Sequence, residues 1–152
     1  MVGLPGSGKT TLARKLEQQH SAVRFTPDEW MMPLFGAGES ENRRWMLESD
    51  LFWKLAERLL GLGVNVILDY GLWSKEERDD FRGRAEALGA RVELHDLNLS
   101  LEQLWDRVNR RNKALTPQDA PIPYEDLANW WNVYQRPRDE ERALYANAYE
   151  EE

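Results

Sequence analysis

The chain has no cysteine and only two histidines among its 152 residues. The first absence excludes disulfides and thiolate zinc sites and fits a reducing compartment. His20 and His95 stand alone, without ligand spacing, and read as structural or surface residues. Long apolar runs are also missing, since nothing approaches the roughly 20 residues of a membrane span. No basic n-region followed by an apolar h-region opens the chain, so the sequence predicts a cytoplasmic protein with no membrane partner. An excess of positive charge is missing as well: Lys and Arg number 20 against 27 Asp and Glu, a net charge of −7. Proteins that live on polyanions gain most of their affinity by neutralising phosphates, so this balance argues against nucleic acid as the main partner. A small basic pocket for a nucleotide remains compatible with it.

What is present begins with the first eleven residues, MVGLPGSGKTT. Gly3, Gly8, Lys9 and Thr10 stand at the spacing G-x-x-x-x-G-K-[ST], the loop that cradles phosphates at the start of a helix. Backbone N–H groups and the positive helix end attract the phosphates, Lys9 can reach the β and γ groups, and Thr10 can hold Mg²⁺. The expected nucleotide contacts are Gly3, Pro5, Gly6, Ser7, Gly8, Lys9, Thr10 and Thr11. Such a loop normally follows a buried central strand, yet only Met1 and Val2 precede it. The sequence therefore predicts that Met1 and Val2 end a short central strand, with unpaired edges beside it. It also predicts about 3–6 further apolar residues ahead of Met1 in the native protein.

Downstream, apolar periodicity alternates between the two periods. A helix is expected over Thr10–His20, a strand over Ala22–Thr26 ended by Pro27, and then a turn carrying Asp28, Glu29 and Trp30. A long helix over Glu41–Leu62 shows Trp45, Leu51, Phe52, Leu55, Leu59 and Leu62 at helical spacing. The strand Val64–Leu68 ends at Asp69; Ser74 and Glu77 spell a capping box for a helix over Lys75–Leu88. Arg91–Leu97 alternates as a strand, Ser100 caps a helix to about Lys113, and a Trp-rich helix runs from Tyr124 to about Gln135. The tail reads as a poor fifth strand. This order implies one α/β domain over 1–152: a parallel sheet with helices on both faces, and a lid region around 104–123.

Several side chains then become candidates. Asp69 closes an apolar strand, which places its carboxylate in the crevice beside the loop, where it can hold Mg²⁺ directly or through water. Asp28 follows the second strand by two residues and could accept a proton from an acceptor hydroxyl, with Glu29 as the nearby rival. Arg107, Arg110 and Arg111 share one helix face and could clamp transferring phosphate oxygens. Trp30 and Trp73 follow the second and third strands, where an acceptor would sit, although core packing is the commoner use of tryptophan. Adjacent Trp130 and Trp131 cannot both face one core, so one is expected at a pocket, lid or interface.

The segments GLPGSGKTTLARKL, FTPDEW, LDYGLWSKEERDDFR and LWDRVNRRN give the chain a recognisable look. It resembles the compact P-loop kinases of the AAA-family ATPase type, whose relatives include chloramphenicol phosphotransferase, zeta toxin and the kinase domain of polynucleotide kinase. The resemblance implies a three-layer, nucleoside-kinase-like P-loop fold with ATP and Mg²⁺ as cofactors. It implies Asp28 as the acceptor-side base, Arg78 as an acceptor-positioning residue, and Arg107 and Arg111 as lid arginines. Gly71-Leu72-Trp73 stands where polynucleotide kinases carry a Thr-Asn pair. The resulting expectation is an ATP-dependent kinase that transfers the γ-phosphoryl group to a hydroxyl of a small molecule. A polynucleotide or nucleoside 5′-hydroxyl kinase, and an NTP hydrolase or switch with no acceptor, stand as rivals.

Overall fold

The segments VRF, VIL and ELHDL form strands β1 (Val23–Phe25), β2 (Val66–Leu68) and β3 (Glu93–Leu97) in the computed structural model, which describes residues 1–36, 41–115 and 121–151. β1 pairs parallel with β2, Val23 opposite Val66 and Phe25 opposite Leu68. Between β2 and β3 lies the start of the chain. Val2 bridges in parallel to Gly71 on one side and Asp96 on the other. Its N–H donates to His95 O at 2.8 Å, its carbonyl accepts from Leu97 N at 3.0 Å, and Gly3 N–H donates to Gly71 O at 3.1 Å. The Met1 ammonium donates to Leu68 O at 2.9 Å. Met1 and Val2 thus hold the central place that the loop requires.

The tail departs from expectation. Asn147–Glu151 forms β4, parallel to β3, from Glu93 opposite Asn147 to Leu97 opposite Glu151. Its local sequence is a weak strand former, and long-range contacts supply what propensity does not. Ala146 N–H donates to Val92 O, Asn147 Nδ2 donates to Glu93, and the Tyr149 ring stacks on His95 at 4.7 Å between centroids. The parallel order is β1, β2, Val2, β3, β4.

Helices cover both faces because successive strand residues point to opposite sides. Val66 and Leu68 pack with Phe25, Phe52, Trp53 and Phe81 on one face. On the other, Ile67 and Leu97 meet Ala13 and Leu16 of α1 (Lys9–His20). Helices α2 (Pro27–Phe35), α3 (Glu41–Met46) and α4 (Trp53–Gly61) follow β1. α2 begins at Pro27, so Asp28, Glu29 and Trp30 are helical rather than in a turn. Proline suits a first helical position, and the two acids face the positive end of the helix dipole.

The expected long helix is α3 (Glu41–Met46) and α4 (Trp53–Gly61) joined by a π-helical turn over Leu47–Phe52. The wider turn rotates the apolar stripe. Leu47, Phe52, Trp53 and Ala56 enter the core, while Trp45, Leu51, Leu55 and Leu62 remain exposed.

α5 (Lys75–Ala87) and α6 (Leu101–Lys113) both carry complete capping boxes, from Ser74 with Glu77 and Ser100 with Gln103. α6 buries Leu104 and Val108 against Leu4 of the loop and Leu127 of α7 (Tyr124–Val133). Trp130 and Trp131 both pack on this cluster, half-buried, so neither leaves it as expected. Trp130 meets Trp73, and the Arg136 guanidinium covers the Trp131 ring. A short α8 (Asp139–Arg142) precedes β4. Of the expected lid region, residues 116–120 lie outside the described residues.

Candidate active site

The phosphate loop is built on backbone that side chains would spoil. Gly3, Gly6 and Gly8 have φ of 140°, 84° and 102°. A Cβ on Gly6 would stand 2.7 Å from Val108 Cγ2, so α6 approaches as closely as a glycine permits. Gly8 caps α1, whose first N–H groups point back into the loop. Pro5, Gly6 and Ser7 make the turn, closed by Ser7 N–H to Leu4 O at 3.2 Å; Thr10 and Thr11 follow on the first turn of α1. Ser7 is buried, and its Oγ has no hydrogen-bond partner among the described residues.

Lys9 folds over this loop, its Nζ donating to Leu4 O at 2.9 Å. Burial pushes its ammonium down to about 8, while the charges of Asp69 and then Asp28 work in the opposite direction and Arg44 adds to the lowering. Lys9, Asp69, Asp28 and Arg44 therefore share one electrostatic neighbourhood. An incoming polyphosphate would strengthen the cationic form of Lys9.

Asp69 leaves β2 with its carboxylate buried. Oδ2 accepts from Thr26 Oγ1 at 3.2 Å and lies 3.7 Å from Arg24 Nη1. Oδ1 is buried and has no partner among the described residues. A buried carboxylate oxygen without a donor is a costly arrangement unless a cation or water completes it. Thr10 and Asp69, hydroxyl and carboxylate, are hard oxygen donors of the kind Mg²⁺ takes, so the residues present fit that ion.

Asp28 differs from its neighbour. Its side chain is 73% exposed at the start of α2 and meets Arg44 Nη1 at 2.6 Å. Glu29 is held by Arg24 at 2.8 Å and Arg14 at 3.1 Å, and the Arg24 guanidinium keeps its carboxyl below the usual range despite partial burial. Of the two rivals, Asp28 is the one in the neighbourhood of Lys9.

Arg107 reaches the loop, Nη1 donating to Ser7 O at 3.2 Å. Arg110 binds its own helix at Asp106 O, and Arg111 is exposed one turn beyond Arg107. Trp30 is half-exposed and meets Phe52 edge-on. Trp73 lies under the loop, its Nε1 donating to Gly3 O at 3.3 Å.

Arg78 is placed differently from its expected acceptor-side position. Its guanidinium is 1% exposed, forks onto Glu141 at 2.5 and 3.0 Å, and donates to Leu72 O. The arginine ties α5 to α8.

Sequence reasoning missed Arg44, which bridges Asp28 and Glu48. Only the Arg44–Glu48 helical spacing was visible in the sequence. It also missed Thr26 and Arg24, which surround Asp69.

The fold has counterparts among solved structures. The chain superposes on Chaetomium thermophilum Kti12, solved with ADP-AlF3, with a TM-score of 0.71 at 20% identity, covering 99% of this chain and 86% of that one. A Chloroflexus aurantiacus protein described as a candidate kinase gives 0.73 at 19% identity, over 98% and 83%. A gluconokinase from Sinorhizobium meliloti 1021 gives 0.59 at 17%, over 98% and 79%. No curated protein sequence matches. These likenesses show the fold, that of P-loop kinases and NTPases. The model of an AAA domain family, AAA_33, matches residues 1–137, and the chain belongs to that family.

Proposed function

We propose that this protein is an ATP-dependent kinase that phosphorylates a hydroxyl of a small molecule. The observation that carries the reading is the pair of carboxylates whose charges act on Lys9: Asp69 buried with an open oxygen, Asp28 exposed and held by Arg44. One is suited to a metal and the other to the hydroxyl of an acceptor.

The loop N–H groups and Lys9 would hold the β and γ phosphates. Thr10 and Asp69 would hold Mg²⁺, which supplies charge neutralisation at those oxygens when bound. Asp28 would take the acceptor's hydroxyl proton as that oxygen forms its bond to Pγ. The bond between Pγ and the β–γ bridging oxygen breaks, and ADP leaves with the electron pair. Arg107 on the Ser7 carbonyl, with Arg110 and Arg111 one turn on, would meet charge on the transferring oxygens. Catalysis here is positioning and electrostatics, because phosphoryl transfer asks little covalent chemistry of the protein.

The formal charge of −7 favours a small acceptor over a polynucleotide. ATP consumption by the purified protein against a library of hydroxyl compounds tests the reading, with a polynucleotide and a no-acceptor control in the same assay. Acceptor-dependent ADP release together with a phosphorylated product supports it. Equal ADP release without acceptor transfers the reading to a hydrolase, and polynucleotide-dependent release transfers it to the other rival.

A further inference from the structure

Two sets of arginines flank the site, and the fold treats them in opposite ways. On α6, Arg107 donates to Ser7 O and Arg110 to Asp106 O. Among the described residues no carboxylate pairs with Arg107, Arg110 or Arg111. Around Asp28 and Asp69 the arginines are bound to acids instead. Arg14 and Arg24 hold Glu29, and Arg24 also takes Glu17. Arg44 is shared between Asp28 and Glu48, and Arg78 is consumed by Glu141. Arg43 points about 100° away from Arg44 around the helix. Its guanidinium lies over the Phe35 ring, 5.3 Å from the centroid.

Glu48 deepens this asymmetry. It is half-buried on the π-helical turn, where its Oε1 accepts from Arg44 Nε at 2.9 Å. Its backbone carbonyl accepts from Tyr70 OH at 3.4 Å. Burial pushes its carboxyl up to about 7; Arg44 opposes this, while the charges of Glu77 and Asp28 add to it. Asp28 on α2, Glu48 on the turn and Glu77 on α5 therefore share one negative field.

A ligand that brought a carboxylate or a phosphate here would add to that field, and Arg44 is the cation placed to answer it. Arg44 could turn to such a group only by letting go of Asp28 or Glu48. Losing Asp28 undoes the orientation of the base. Losing Glu48 leaves a half-buried carboxylate without its guanidinium, which is costly.

We propose that the acceptor is an alcohol with no anionic group, and that Glu48 and Arg44 set this specificity. Glu48 holds Arg44 away from a ligand anion and repels that anion itself. Selection of this kind works through what a site opposes rather than through what it grips. Positive charge without an acidic partner is kept on α6, for the polyphosphate. The phosphorylated product carries a new dianion, which the same field drives out. The inference rests on the kinase reading, which makes Asp28 the base.

Arginine Nε–H signals of the ¹⁵N-labelled protein test it, followed by NMR during titration with sodium sulfate and with sodium acetate at constant ionic strength. Sulfate stands for a phosphate ester and acetate for a carboxylate. Sulfate should move Arg107, beside the loop, with a Kd of about 10 mM or tighter. Arg24, Arg44 and Arg78 should stay in place in both titrations. In Glu48→Gln the Arg44 signal should respond, with a Kd roughly fivefold or more below any wild-type response. A wild-type Arg44 that responds as strongly as Arg107 overturns the proposal. So does a folded Glu48→Gln protein whose Arg44 is as inert as the parent's. In the acceptor assay, glycerate or glycerol 3-phosphate used within about tenfold of glycerol in kcat/KM overturns it as well. The arginine titrations involve neither nucleotide nor turnover, so their outcome is separate from failure of the kinase reading.

Discussion

Arg44 Nη1 lies 2.6 Å from Asp28 Oδ1, and the same guanidinium holds Glu48 through Nε at 2.9 Å. Arg44 thus fixes the direction of an exposed carboxylate that no other described group binds. Asp28→Asn keeps the shape but removes the proton acceptor, and turnover should fall about a hundredfold or more. Affinity for ATP should be unchanged. Arg44→Gln, which keeps the Asp28 side chain but leaves it unoriented, should cost less in kcat, roughly tenfold. Steady-state kinetics of Asp28→Asn, Arg44→Gln and Glu29→Gln check the order; activity lost on Glu29→Gln and kept on Asp28→Asn would move the base by one residue.

Lys9→Ala should abolish phosphoryl transfer, about 10²–10³-fold or more, while leaving the fold intact. Lys9 Nζ contacts one loop carbonyl, Leu4 O, and no core side chain depends on it. Titration calorimetry with a slowly hydrolysed ATP analogue should show Mg²⁺-dependent binding to the wild type and weakened binding to Lys9→Ala. No binding to the wild type at millimolar nucleotide would sink the nucleotide reading altogether.

Gly6→Ala should destabilise the protein by roughly 1–3 kcal/mol, through positive φ and through contact with Val108. The two causes separate in the double variant: Val108→Ala removes the methyl in the way and leaves the backbone strain. Gly8→Ala, whose nearest neighbour would be 3.7 Å away, should show strain alone. Thermal melts of five proteins (wild type, Gly6→Ala, Val108→Ala, their double variant and Gly8→Ala) check this, and equal losses from Gly6→Ala in the wild-type and Val108→Ala backgrounds would assign the whole effect to φ.

What could be read from the sequence was local. The phosphate loop is eight consecutive residues whose types each have a reason, and Asp69 follows from one short strand. The capping box at Ser74 and the cap at Ser100 are local relationships and both formed, Ser100 with Gln103 completing a box that had not been read. Arg44 was out of reach because it comes 16 residues after Asp28, a separation that no spacing rule measures. β4 was misjudged for a similar reason: ANAYEE has little strand propensity, and what orders it is the free edge of β3, about 54 residues earlier. The π turn between α3 and α4 shifted a helical stripe that a constant 3.6-residue period had drawn too simply.

Arg78 and Glu141 should behave as a structural pair. Both are buried, so Glu141→Gln strands a guanidinium in the core and should cost about 3–5 kcal/mol. The double variant Arg78→Met with Glu141→Leu replaces the pair by apolar volume and should recover most of that loss. Its KM for the acceptor should match the wild type. A raised KM in a double variant of normal stability would instead return Arg78 to the acceptor side.

Glu48 should make stability depend on pH in a direction opposite to most carboxylates. Burial pushes its carboxyl up to about 7 even though Arg44 beside it works to lower it. An acid whose folded pKa exceeds its unfolded value of about 4.5 binds more protons folded than unfolded between those two values. The stabilisation is then full below about pH 4.5 and is lost as pH rises through about 7. Glu48→Gln mimics the protonated form and removes this titration. Denaturant unfolding at pH 5, 6, 7 and 8 should show the wild type losing stability relative to Glu48→Gln across that range, by at most about 3 kcal/mol. Two curves that stay parallel from pH 5 to 8 would mean that Glu48 ionises folded as it does unfolded, and that Arg44 compensates its burial in full.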